Sequence, residues 1–303
     1  MQKELSTNCI GSLASRFIKD SGSEIIGEIL SVFPNSLYIK TMNGELVFVT
    51  NRRLRSPITV NTESKVDFQE IVRPQDQVTL GEGEIHIGDS LSVNLNQNIP
   101  SVAQTTSHPR QLTITGPTLH LASLILMIID NHLSVLDQVG IAHTGVSRFV
   151  SEGILPFRQS TDVKSFRNAA ERIVGLGTGF TPSGDDLLGG FLATYNSFTQ
   201  VTGRPPIALE FESLEDRTNW ISAKLLDYMQ REILDEQVST LIDSSASQHS
   251  DTFILALETL LPRGHTSGID ILVGALLALG LIYDVTRKDN VTAAIAKALS
   301  LLD

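Results

Sequence analysis

Two short stretches of this chain repeat each other, and a repeat that keeps its glycines and acids in register limits the folds open to it. Gly175 to Gly190 reads G-L-G-T-G-F-T-P-S-G-D-D-L-L-G-G, and Gly264 to Leu276 reads G-H-T-S-G-I-D-I-L-V-G-A-L. Aligned on Ser183 and Ser267, the residues Gly184, Asp186, Leu188, Gly190 and Leu192 coincide with Gly268, Asp270, Leu272, Gly274 and Leu276 at a constant offset of 84. A helical pattern precedes each copy, over Val163 to Val174 and Thr252 to Leu260, and an apolar helix follows. The spacing predicts two helix–loop–helix hairpins related by an approximate twofold axis, with both loops at one end of a bundle.

A loop that runs into a helix start offers backbone N–H groups and the positive end of the helix dipole, which together favour an anion. Gly177, Gly179, Gly184 and Gly268 are the expected backbone contacts, and Thr181, Ser183, Thr266 and Ser267 the expected hydroxyl donors. Asp185 and Asp186 form an acidic pair that would orient an amine or hold Mg²⁺ through its oxygens. Asp270 is the counterpart of Asp186, and His265 in the second loop is the candidate proton carrier. The bland reading is a pair of capping boxes, Ser183 with Asp186 and Ser267 with Asp270. On that reading Asp185→Ala should be nearly silent, whereas Asp186→Ala should cost stability. Gly190 and Gly274 then serve close helix approach.

The motif is not a dinucleotide fingerprint, because its glycines follow a helical pattern where a strand is required. No Lys-Ser/Thr pair follows the last glycine, and no G-x-S-x-G elbow is present. Three classes of function remain. The chain is an enzyme or enzyme subunit acting on a small phosphate or carboxylate, a component binding Mg²⁺ and a nucleotide, or a non-catalytic structural partner of other subunits.

With 23 basic against 34 acidic residues the net charge is −11, the wrong sign for nucleic acid. The Arg52-Arg53-Arg55 cluster reads as a solvated hairpin edge or a local anion patch. Cys9 is the single cysteine, so cysteine-rich zinc sites are excluded. The histidines show no metal-ligand spacing, and no metal ligand set is assigned. The first residues lack a basic segment followed by an apolar run. The apolar runs Leu121 to Ile129 and Ile269 to Tyr283 are shorter than a bilayer span. A soluble, cytoplasmic protein with no membrane partner is expected.

Chain order separates two regions. Residues 1–23 are polar and weakly patterned, and from Glu24 a period of two sets in. Asn43-Gly44 between Leu37-Tyr38-Ile39 and Leu46 to Val49 is a strong hairpin signal. Further strands are predicted at Ile58 to Val60, Val66 to Ile71, Val78 to Leu80, Ile85 to Ile87 and Leu91 to Val93. Asn96 to Gln111 reads as a connector. Helices are predicted at Leu119 to Leu136, Val163 to Val174, Gly184 to Phe198, Ser213 to Leu234, Thr252 to Leu260, Gly268 to Tyr283 and Val291 to Leu302. The fold class is α+β: a small antiparallel β barrel or sandwich over 1–112, then a mostly helical domain over 113–303 that carries both glycine-rich motifs.

The pattern G-x-G-x-G-F-T-P-S-G-D-D-x-L-x-G with a downstream T-S-G-x-D-x-L-x-G resembles a family described as carboxylases of unknown function. That family includes the AllH-type subunit of oxamate carbamoyltransferase from the anaerobic allantoin pathway. Ser31-Val32-Phe33, the β-then-α order and the length fit as well, and Phe180 stands where leucine is common. The resemblance implies a subunit of an assembly that moves a carbamoyl group between phosphate and oxamate. It assigns no catalytic residue.

Overall fold

The computed structural model describes residues 2–20, 25–81, 83–95, 101–102, 143–160, 163–246, 250–288, 290–299 and 301. The chain divides into two compact units, Met1–Thr106 with Ile233–Glu236, and Ser107–Glu232 with Gln237–Asp303.

The first unit is a closed barrel. Its strands are β1 (Lys3–Gly11), β2 (Ile25–Phe33), β3 (Ser36–Thr41), β4 (Leu46–Thr50), β5 (Thr59–Thr62), β6 (Gln77–Leu80), β7 (Glu84–Ile87) and β8 (Leu91–Asn94), and the pair β9 (Ser101–Val102) adds to β1. The circuit runs β5-β4-β3-β2-β6-β7-β8-β1, and β1 pairs back onto β5 to close it. Alternating residues point inward and form one apolar core that includes Leu5, Ile29, Leu37, Ile39, Val47, Val49, Val60, Val78, Ile85 and Val93. The Asn43-Gly44 hairpin is present between β3 and β4, with Gly44 at φ +71° and its N–H donated to Thr41 O. Most pairs are antiparallel, but β1–β8, β1–β9 and β4–β5 are parallel. The segment from Asn51 to Ile58 returns the chain to the starting end of β4. The Asn61 side chain holds that return by donating to Arg52 O and Leu54 O. Arg52, Arg53 and Arg55 are exposed on this return and not on a hairpin.

Two expectations are corrected here. Residues 1–23 are more than a polar, weakly patterned lead-in, since they supply β1 and helix α1 (Ser12–Lys19). In β1 the inward positions are Leu5, Thr7, Cys9 and Gly11. Only one of these is strongly apolar, so the alternation hid among polar residues. Val66 to Ile71 is not a strand. The Asp67 side chain accepts the Gln69 N–H and winds Phe68–Glu70 into a 3₁₀ turn that drives Phe68 into the barrel.

The second unit is helical. Its elements are α2 (His143–Arg148), a π-helical turn (Phe149–Ile154), α3 (Leu155–Gln159), α4 (Val163–Glu171), α5 (Ser183–Ser197), α6 (Thr199–Thr202), α7 (Phe211–Glu215), α8 (Trp220–Gln230), α9 (Glu236–Ala246), α10 (Ser250–Leu260), α11 (Ser267–Arg287) and α12 (Val291–Ala298). Phe149, Phe157, Phe166, Phe191 and Tyr195 pack ring to ring at its centre. The helix expected over Leu119 to Leu136 lies outside the described residues, as does most of the connector. The single helix expected over Ser213 to Leu234 is broken, because Asn219 caps α8 by accepting the Ser222 N–H. Helix α11 has 21 residues and a mean hydropathy that by length and composition would let it cross a membrane, yet 94% of its apolar window is buried inside the protein. It is longer than the apolar run suggested, and its residues from Gly268 to Asp284 are core.

Candidate functional site

The two repeat junctions are built alike. Helix α4 unwinds through Ile173 and Leu176, which donate to Ala170 O and Ile173 O, and Gly184 N–H closes the loop on Leu176 O. In the second copy Arg263 donates to Leu260 O and Gly268 N–H closes on Arg263 O. The N–H groups of Gly184 and Gly268 are therefore committed to their own loops. A Cβ on Gly184 would stand 1.9 Å from Ile173 O, and one on Gly268 2.1 Å from Leu260 O. Gly175, Gly177, Gly179 and Gly264 all have positive φ, which side chains rarely adopt. The N–H groups of Gly177 and Gly179 make no hydrogen bond among the described residues, and Gly179 is exposed.

The approximate twofold relation is present in atomic detail. Helices α5 and α11 cross in backbone contact: a Cβ on Gly190 would meet Ile271 O at 2.1 Å, and one on Gly274 would meet Leu187 O at 1.8 Å. Both the glycines and their partners are related by the repeat offset. Near the helix starts the side chains are exchanged between copies. Thr181 donates to Asp186 Oδ2 at 2.9 Å, Thr181 Oγ1 lies 3.3 Å from Ser267 Oγ, and the Ser267 hydroxyl stabilises the Asp186 anion. In mirror fashion the hydroxyls of Ser183 and Thr266 face Asp270 closely enough to favour its anion. They stay outside hydrogen-bond geometry, so both Asp270 oxygens are buried without a partner. The capping-box expectation is thereby corrected. The residues before the two helices are Pro182 and Thr266, neither makes a side-chain cap, and the serines serve the opposite repeat.

Asp185 faces away from this seam. Its Oδ1 accepts the Gly175 N–H at 2.7 Å, and its Oδ2 accepts the Thr218 and Ser222 hydroxyls, each at 2.6 Å. Asp185 and Asp186 thus do not converge on one point, and the adjacent pair does not form a joint Mg²⁺ ligand set. Among the described residues no group of three His, Cys, Asp or Glu side chains gathers as metal ligands would. His265 is exposed in the second loop. The sequence reading missed Thr218, Ser222 and Asn219, which tie α8 to the first loop; Asn219 donates to Phe180 O at the loop tip. It also missed Arg263, whose charge acts on Asp186. A basic residue two positions before His265 was the signal available for Arg263.

Residues 5–102 match the family model described as the AllH family N-terminal domain, and residues 173–279 match that described as oxamate carbamoyltransferase subunit AllH. The chain belongs to the AllH family. No curated protein and no solved structure matches it closely enough to add a relative. The second AllH match begins at Ile173 and ends at Leu279, so it takes in both junctions and the crossing between them.

Within this AllH-family chain the seam holds two carboxyls in poor solvent. Asp186 keeps partial solvent access, and burial pushes its pKa from 3.8 to about 7, with the Asp270 charge adding to the rise and Ser267, Thr181 and Arg263 opposing it. Asp270 has no solvent access, and burial pushes its pKa to about 6 against the pull of Ser183 and Thr266. The two interact, so their protons belong to the pair. Both folded-state values lie above the unfolded one, so the neutral forms favour the fold. That contribution is whole below about pH 4 and is lost as pH rises through about 6 and 7. Urea unfolding should therefore show the chain more stable at about pH 5 than at about pH 8. The difference should shrink in the Asp186→Asn/Asp270→Asn double variant, and an unchanged slope would remove the seam as its source.

Proposed function

We propose that this chain is a subunit of a carbamoyltransferase-type enzyme that acts in the cytoplasm with other protein subunits. Its substrate is a small anion of the oxamate or carbamoyl phosphate type, in allantoin breakdown. The observation that carries this reading is the contact of Ser267 from the second loop–helix junction with Thr181, which holds Asp186 in the first, within the part of the chain that matches the AllH subunit.

The open N–H groups of Gly177 and Gly179 and the positive ends of α5 and α11 favour negative charge beside the seam. Thr181, Thr266 and Ser267, each half-buried, add hydroxyls. In carbamoyl transfer, charge builds on the departing phosphate while the acceptor nitrogen is held against the carbamoyl carbon. Oriented donors and close placement supply most of what that step needs. Asp185 holds the first loop in shape through Gly175, and Asp186 is the carboxyl nearest the hydroxyls.

Calorimetry with oxamate, inorganic phosphate and carbamoyl phosphate tests the reading. At least one should bind at millimolar concentration or below. The Thr181→Val/Ser267→Ala double variant should weaken that binding about tenfold or more, as expected for hydrogen bonds to a charged group. No binding by any of the three would end the proposal for the chain on its own.

A further inference from the structure

The seam contains a conflict. Its loops favour an anion, yet its centre holds Asp186 and Asp270. A buried carboxyl with neither oxygen partnered, as Asp270 is, marks a place where something besides the protein belongs. A ligand's negative charge is then favoured at the loops, while the part that meets Asp186, with the charge of Asp270 behind it, is neutral and rich in N–H. A primary amide fits, since its NH₂ offers two donors and no charge. A carboxylate in the same place offers only acceptors and adds a third negative charge beside two others.

We propose that Asp186, reinforced by the charge of Asp270, is the specificity-determining residue that reads the neutral amide end of a small anion and turns away a second carboxylate. The assignment rests on the anion-site reading above. Asp186 is the accessible member of the pair; Thr181 holds its carboxyl, and Ser267 of the other copy backs Thr181 at 3.3 Å. The charged groups around it are few. Asp185, on its own helix, is turned to Gly175, Thr218 and Ser222. Arg263 acts on it from the second loop, which also carries exposed His265, and Asp270 acts from α11. When ionised, Asp186 can only accept. When protonated it can donate, and the bar against a carboxylate falls.

Oxamate and oxalate separate these cases, because they differ chiefly in NH₂ against O⁻. Calorimetry on the full chain at about pH 8 should show oxamate bound at least about tenfold more tightly than oxalate, within the range reached by sites built around a substrate N–H. At about pH 5.5 the ratio should shrink severalfold. In Asp186→Asn, whose amide can face either group, the ratio should fall to within about twofold at both pH values. Asp270→Asn should lower it severalfold at pH 8. Equal binding of the two ligands by the wild type at pH 8, or an unchanged ratio in folded Asp186→Asn, overturns the assignment and leaves the anion site standing. An unchanged ratio in Asp270→Asn overturns the reinforcing role of that residue. Failure of both ligands to bind overturns the anion site and this assignment with it. If circular dichroism shows Asp186→Asn unfolded, the pH dependence of the wild-type ratio decides alone.

Discussion

Gly274→Ala should destabilise the helical unit by about 3 kcal/mol or more, the upper end of what overpacking costs. In an open helix the same change would be favourable by about 1 kcal/mol, because alanine is the better helix former. Here the new methyl would lie 1.8 Å from Leu187 O and 2.8 Å from the Phe191 backbone nitrogen, and neither neighbour is a side chain that could rotate away. The helices must separate, and the core between α5 and α11 opens with them. Gly190→Ala meets Ile271 O at 2.1 Å and should behave alike. Gly280→Ala lies on the same helix, and its nearest neighbour is the Ile295 Cδ1 tip at 2.9 Å, with the Thr292 backbone at 3.0 Å. Its cost should be clearly smaller. Urea midpoints of the three variants check the order. A Gly274→Ala protein as stable as the wild type would mean that the two helices do not cross in backbone contact.

The second large effect is expected at Asp185. Asp185→Ala removes the acceptor of the Gly175 N–H and of the Thr218 and Ser222 hydroxyls. The Ser222 bond is buried and the other two are part-buried; a buried donor left unpaired costs about 1–3 kcal/mol, so about 2 kcal/mol or more is at stake. Asp185→Asn should fall between, since its NH₂ must face a donor. The Gly175 amide should also lose protection against hydrogen exchange. Asp186→Ala should cost much less, because it discards a carboxyl that burial already disfavours. This order is opposite to the one the capping-box reading gives. Urea unfolding of the two alanine variants at neutral pH distinguishes them. An Asp185→Ala protein within about 1 kcal/mol of the wild type would show that its three hydrogen bonds carry little.

The difference between the two adjacent aspartates shows where the sequence stops being informative. Both follow Ser183-Gly184 and lie in the first turn of α5, and their spacing from Ser183 ranks them in the opposite order to their contacts. Their directions differ by about 100° around the helix, as successive residues must. One meets the start of α8, and the other meets the start of α11. Which neighbour stood on which side depended on how helices distant in the chain packed. The same holds for β1, whose register partners in β5 and β8 lie fifty or more residues downstream and whose few apolar residues gave no clear alternation. Val66 to Ile71 shows the reverse: a β-prone run was overruled by one local side-chain bond from Asp67.

What the sequence determined alone was whatever depends on local period and on identity at fixed spacing. The β-then-α order follows from the change of period, the Asn43-Gly44 hairpin from turn chemistry, and the paired junctions from six residues repeated in register. Tertiary structure decided which atoms those junctions share. Only the crossing of α5 and α11 sends Ser183 and Ser267 to each other's repeat, leaves Asp270 buried without a partner, and spends Asp185 on the fold. The reason is physical: backbone period is set by neighbours in the chain, whereas burial and hydrogen-bond partners are set by neighbours in space.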